Sequence, residues 1–232
     1  MKNRFLWAVI LIFSLFSCGG RINGSVSANG SAVFSVEMSL GQRISSVIRS
    51  LNSAGGQDGS LILDGNAIAK SMSIDGMTSV NLRNTAPAAV EGEIRVSDIN
   101  RFLYAGEKSG FIKFEPKTGG GSCTININID NGPLVLENLS PEIADFLSAL
   151  MAPIATGEVL NKSEYQQLVA SFYNKAISDE ISASRIRASI EFPGAITGVK
   201  GGTFSGRKAE FDIPFLDLLV LETPLIYEVN WR

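Results

Sequence analysis

Histidine is absent from the 232 residues, and cysteine occurs only as Cys18 and Cys123. The first absence removes the usual general base of serine and cysteine hydrolases and the commonest zinc ligand. So few cysteines assemble neither a structural zinc site nor a disulfide framework. The Gly-x-Ser-x-Gly, phosphate-loop and dinucleotide-binding fingerprints are missing too. Gly119-Gly120-Gly121-Ser122 precedes a strand pattern and not a helix, so it reads as a flexible turn with no phosphate cradle. Beyond the N-terminal leader the basic residues are scattered, Arg185/Arg187 and Arg207/Lys208 being the closest pairs, and nucleic acid needs clustered cations. Asp179-Glu180 reads as a solvated helix end. Carboxylate pairs of a hydrolase meet only in space, which leaves a hydrolase among the functions to weigh. No catalytic residue, cofactor, metal or nucleic acid is expected.

What is present begins with a leader. Lys2 and Arg4 are followed by an apolar segment, Phe5 to Phe16, and then by Ser17-Cys18. Gly19, Gly20, Arg21 and Asn23 end the run short of the roughly 20 apolar residues a membrane span needs. Residues 1–17 are therefore expected to be a signal peptide, and 18–232 a single domain. Leu15-Phe16-Ser17-Cys18 resembles the bacterial lipobox, whose cysteine receives a diacylglyceryl group and becomes the new N-terminus, although Phe16 stands where a smaller residue is usual. The resemblance implies that acyl chains on Cys18, palmitate among them, tie the chain to a membrane. Each buried methylene contributes about 0.8 kcal/mol to such an anchor. The alternative is an ordinary signal peptide cut nearby, with Cys18 left as a thiol or as a disulfide partner of Cys123. Gly19 occupies the position where aspartate favours inner-membrane retention, which points to the outer membrane, facing periplasm or cell surface. Loss of the leader leaves 18 basic residues against 23 acidic ones, a net charge of about −5.

Past the leader, Asn29-Gly30 between alternating segments 22–27 and 32–40 predicts a β-hairpin. Ile44, Val47, Ile48 and Leu51 predict an amphipathic helix over 42–53, and a shorter one starts at Asp64, carries Ile68 and Met72, and stops at Gly76. Strands follow at 77–84 and 88–96 around Pro87, then a short helix capped by Ser97 or Asp98 with Ile99, Phe102 and Leu103, then strands at 111–115 and 123–130. Cys123 alternates with Ile125 and Ile127, as a small buried hydrophobe does. Gly55 to Gly59 and Lys117 to Gly121 are linker-like but too short to divide domains.

Ser140-Pro141 starts a helix with the stripe Ile143, Phe146, Leu147, Leu150 and Met151. Asn161 and Glu164 form a capping box, opening a helix whose stripe runs Tyr165, Leu168, Val169, Phe172, Tyr173, Ala176, Ile177. These stripes describe either a filled core or one wall of an apolar cavity, in which case Phe146, Leu150, Leu168, Phe172 and Tyr173 are the lining. Strands are expected at 185–192, 203–213 and 225–231, the last one inside a sheet, with a short helix from Pro214 to Leu221. The fold class is α+β: a twisted antiparallel sheet with amphipathic helices on one face and an apolar cavity between them.

Ile190-Glu191-Phe192-Pro193-Gly194, Gly206, Ile213 to Leu219 and Tyr227 to Trp231 together resemble the closing section of the LppM-like family of bacterial lipoproteins, and the 22–40 hairpin does so more weakly. The resemblance implies an antiparallel sheet with packed helices and a cavity for a lipid or glycolipid, and it supplies no catalytic residues. Members often continue into a C-terminal membrane helix; here the sequence stops at Arg232, so anchoring is expected to rest on Cys18. Two functions stand side by side at this stage. One is a non-catalytic, lipid-anchored envelope protein that binds an amphiphile. The other is a structural or assembly lipoprotein that binds another envelope protein.

Overall fold

The computed structural model describes residues 19–54, 61–71, 77–100, 111–133 and 141–232. The leader with Phe16 and Cys18, the 55–59 glycine-rich stretch, Met72, Gly76, Phe102, Leu103 and Ser140 lie outside them.

Alternating apolar and polar residues make β1 (Gly19–Val26) and β2 (Ala32–Ser39) an antiparallel hairpin in the register Gly19↔Ser39 to Val26↔Ala32. Asn29 closes its turn: Oδ1 accepts from the Ser31 N–H at 3.0 Å and from its hydroxyl at 2.8 Å, while Gly30 turns with φ 83°. β3 (Met77–Ala86) and β4 (Ala89–Val96) form the second hairpin, and β4 pairs with β2. On the other side β1 pairs with β7 (Arg185–Glu191), Gly19 opposite Arg185, and this junction is parallel. β10 (Lys208–Pro214) and β9 (Thr203–Ser205) complete a seven-stranded sheet of order β3-β4-β2-β1-β7-β10-β9. A four-stranded antiparallel sheet combines β5 (Ile112–Lys117), β6 (Gly120–Ile127), β11 (Leu225–Trp231) and β8 (Ile196–Lys200) in the order β5-β6-β11-β8. The apolar C-terminal strand is thus interior to its sheet, as expected. The architecture is α+β with antiparallel pairing dominant. The segment 203–213, expected as one strand, folds back on itself at Gly206-Arg207 as β9 and β10.

One end of the space between the sheets is filled by Val26, Ala32, Val96, Phe114, Phe192, Ile196, Val229 and Trp231. The Trp231 ring lies 5.3 Å from both Phe114 and Phe192, a geometry that adds about 0.5–1.5 kcal/mol per pair beyond burial. That ring also revises the expected 119–122 turn. Gly120 and Gly121 are strand residues of β6, and a Cβ at Gly121 would stand 2.4 Å from Trp231. The glycine run provides close approach, and only Lys117 to Gly120 turns.

A second core is helical. It joins α1 (Gln42–Ala54), α3 (Pro141–Ala149), α4 (Pro153–Thr156), α5 (Lys162–Phe172), α6 (Lys175–Ala183) and α7 (Phe215–Val220) through Ile44, Leu147, Leu150, Ile154, Tyr165, Val169, Ile177, Ile181 and Leu219. The short α2 (Gly65–Ser71), capped by Asp64, lies against β3. The capping box at Asn161 and Glu164 is made in both directions. The stripe from Tyr165 to Ile177 does not continue as one helix. Asn174 leaves the helical conformation and its Oδ1 accepts from the Ile177 N–H at 3.0 Å, so it starts α6 as a new N-cap.

Candidate functional site

The seven-stranded sheet has a polar outer face and an apolar inner face, set by the period-two alternation of its strands. Exposed pairs such as Glu93–Arg95, 2.7 Å apart, occupy the outer face and contribute little to stability. On the inner face two cross-strand rows run over the centre of the sheet. One is Met38, Gly20, Ile186 and Ile213; the next is Val36, Ile22, Ala188 and Phe211. Ile22, Val36, Met38, Ile186, Ala188 and Ile213 are half-buried, and among the described residues they join neither the inter-sheet core nor the helical core. The rows beyond them, containing Phe34, Ile190 and Ala209, belong to the inter-sheet core. An apolar strip therefore lies between two packed regions.

The strip reaches the Gly19 end of the sheet. A concavity of about 390 Å³ opens there, touching Gly20, Met38 and Val90, with Arg21, Arg185, Arg187, Glu37 and Glu91 around it. Arg21 and Glu37 approach only to 4.0 Å, and Arg187 and Asp212 to 3.9 Å. The Arg185 guanidinium donates to two backbone carbonyls, Ser182 at 3.4 Å and Ser184 at 3.3 Å. Arg21, Arg187, Glu37 and Glu91 alternate along their strands with the residues of the strip and its row, so this concavity opens on the polar outer face, across the sheet from the strip. Two further concavities, of about 560 and 690 Å³, involve Arg187, Ser189 and Thr203 in one case and Ser35, Asn81 and Glu93 in the other.

The side chains read from the sequence as cavity lining are partly brought together. Leu150 is buried in the helical core, and Phe146, Leu168 and Tyr173 pack against it. Phe172 is 67% exposed. The Tyr165 hydroxyl donates to the Leu150 carbonyl at 3.0 Å, and that of Tyr173 donates to the neighbouring Ala149 carbonyl. Burial, aided by the nearby Tyr173, pushes the Tyr165 phenol well above its ordinary range. None of these five residues lines the three concavities described. Cys123 packs against the inter-sheet core, as a small hydrophobe does, and burial pushes its thiol up to about 11.

Asp179-Glu180 lies inside α6, where Glu180 takes an unexpected part. Its carboxylate accepts from the Ile44 N–H at 3.0 Å and the Arg43 N–H at 3.2 Å, capping the distant helix α1. The edge of β5 is also occupied. The Asn100 side chain donates to the Phe114 carbonyl at 2.9 Å and accepts from its N–H at 3.2 Å, imitating a neighbouring strand. Among the described residues no three His, Cys, Asp or Glu side chains are grouped to hold a metal, and no helix is long and apolar enough to cross a membrane.

The class these features define is an α+β domain of two sheets and a helical layer. In structure it is similar to the folded domain of LppM from Mycobacterium tuberculosis, with a TM-score of 0.39 and 9% identity over 93% of this chain and 90% of that one. A likeness of that degree carries no argument about activity, ligand or partner. No family model matches the sequence, and no curated protein does.

Proposed function

We propose that this chain is a non-catalytic envelope lipoprotein, held to a membrane by acyl chains on Cys18, that binds a lipid, glycolipid or other amphiphile. The observation that carries the ligand is the half-buried apolar strip of Ile22, Val36, Met38, Ile186 and Ile213 on the inner face of the larger sheet. Acyl chains suit such a strip. The leader supports the membrane half of the reading, and the missing histidine supports the non-catalytic half. An envelope protein as partner is the other reading. Asn100 already occupies the β5 edge and β9 is only three residues long, so such a partner would have to pair with β3 or β8, the other two edge strands.

Native mass spectrometry of the protein from its own membranes tests the ligand. The wild type is expected to carry an added lipid mass. A Met38→Gln/Ile213→Gln variant should lose that mass while keeping its circular dichroism spectrum. A wild type that is stripped of nothing, in a gentle detergent, would sink the amphiphile reading.

A further inference from the structure

Across the outer face of the larger sheet, one cross-strand row carries a charge on each of six neighbouring strands. In the order β3, β4, β2, β1, β7, β10 it runs Arg83, Glu91, Glu37, Arg21, Arg187, Asp212. The signs are plus, minus, minus, plus, plus, minus, and they sum to zero. Like charges stand side by side twice, Glu91 next to Glu37 and Arg21 next to Arg187, an arrangement that destabilises a lone sheet. Neighbours of opposite sign relieve it only in part. Arg83 bonds to Glu91, but Arg21 and Glu37 stand 4.0 Å apart, and Arg187 and Asp212 3.9 Å apart.

Read from its other end, the row has every sign reversed. A second copy laid face to face, with a two-fold axis running along the strands between β1 and β2, brings that reversal about. Arg83 then faces Asp212, Glu91 faces Arg187, and Glu37 faces Arg21, each contact occurring twice. The two rows beside it fit under the same operation. It sets Arg95 opposite Glu191 and Lys208 opposite Ser79 in one, and Glu93 opposite Ser189 and Glu210 opposite Asn81 in the other. No like charges meet. With the axis turned across the strands through the middle row, Glu93 would meet Glu93 and Glu210 would meet Glu210, so the charges select the orientation.

The face is open, with Arg21, Asn23, Ser35, Glu37, Arg187 and Asp212 all exposed. Six strands about 4.8 Å apart and about 26 Å long cover roughly 750 Å², against about 800 Å² per partner in a standard interface. We propose that the outer face of the seven-stranded sheet is a self-association surface, on which a second copy of this chain packs about a two-fold axis lying between β1 and β2. Such pairing leaves the apolar strip on the opposite face free for its ligand. It also brings the Ser27–Ser31 turns of the two copies side by side, because that turn joins the strands flanking the axis.

Sedimentation of the full chain in a mild non-ionic detergent tests the pairing. The wild type should be dimeric at low ionic strength, with its dimer dissociation constant rising about tenfold or more between roughly 50 and 500 mM sodium chloride. Arg21→Glu/Arg187→Glu and Glu37→Arg/Glu91→Arg should each be monomeric alone, since each sets like charges face to face. An equimolar mixture of the two should restore a dimer containing one chain of each, a rescue that misfolding cannot imitate. A wild type that stays monomeric at low salt and about 100 µM, far above a micromolar dissociation constant, overturns the pairing. So do variants that still self-associate, and variants with wild-type circular dichroism that fail to pair when mixed. Where either variant does not fold, a benzophenone photo-crosslinker at the exposed Ala28 decides. A product of two chains joined turn to turn supports the two-fold axis, and a product with another protein, or none, overturns it.

Discussion

The carboxylate of Glu180 sits where two backbone N–H groups at the start of α1 would otherwise lack partners. The first turn of α1 contains no acidic residue of its own, so the favourable charge at its N-terminus comes from α6. Removing such a cap costs about 0.5–2 kcal/mol. Glu180→Ala is therefore expected to lower the melting temperature by roughly 1–8 °C, at about 2–4 °C per kcal/mol for a domain this size. Glu180→Gln keeps one acceptor and should lie between wild type and Ala in a thermal scan. Nothing in the sequence near Asp179-Glu180 announces this role, because the partner is remote along the chain and only the folded structure brings it near. Cys123 is the opposite case. Its place in an alternating apolar run was enough to read it as core.

At the scale of elements, the legible parts are those whose signal is local. The Asn29-Gly30 hairpin, the Asn161-Glu164 capping box and the α7 segment behind Pro214 all form where their turn and cap residues put them. What escaped is punctuation inside continuous patterns. Asn174 breaks a stripe that is apolar on both sides of it, and β8 is a five-residue strand with a glycine in its middle. The helical core depends on ties between elements as well as on burial. Tyr165, fully buried in α5, bonds through its hydroxyl to the Leu150 carbonyl just after α3. Tyr165→Phe leaves that carbonyl without its partner, at a cost of about 1–2 kcal/mol. The expected result is a lower urea midpoint with an unchanged slope.

For the whole molecule, the candidate site shows why sequence placed it on the helices. Its strip takes one or two residues from each of β2, β1, β7 and β10, so no local run betrays it, whereas the stripes of α3 and α5 are dense and continuous. Global stability should respond to alkali through the buried acids. The Cys123 thiol is raised from 9.0 to about 11, and Tyr165 and Tyr227 are raised as well. A raised pKa means that the folded state holds its proton more tightly. The associated stability is complete below pH 9 and is lost as the pH climbs through about 11. Urea midpoints at pH 8 and pH 10.5 should fall further apart for the wild type than for Cys123→Ala, and equal differences would mean that the thiol is not so held.

The parallel pairing of β1 with β7 also orders events in time. The hairpin at the start of the chain can close within its own residues, but Gly19 finds its second neighbour only once Arg185 has been delivered. A chain fed out N-terminus first, from a ribosome or through a translocation channel, thus lacks the centre of its larger sheet until its last quarter emerges. The loop-closure entropy of that one junction falls late, on a contact of high sequence separation, which slows folding. The first strand, β1, is among the first made and among the last secured.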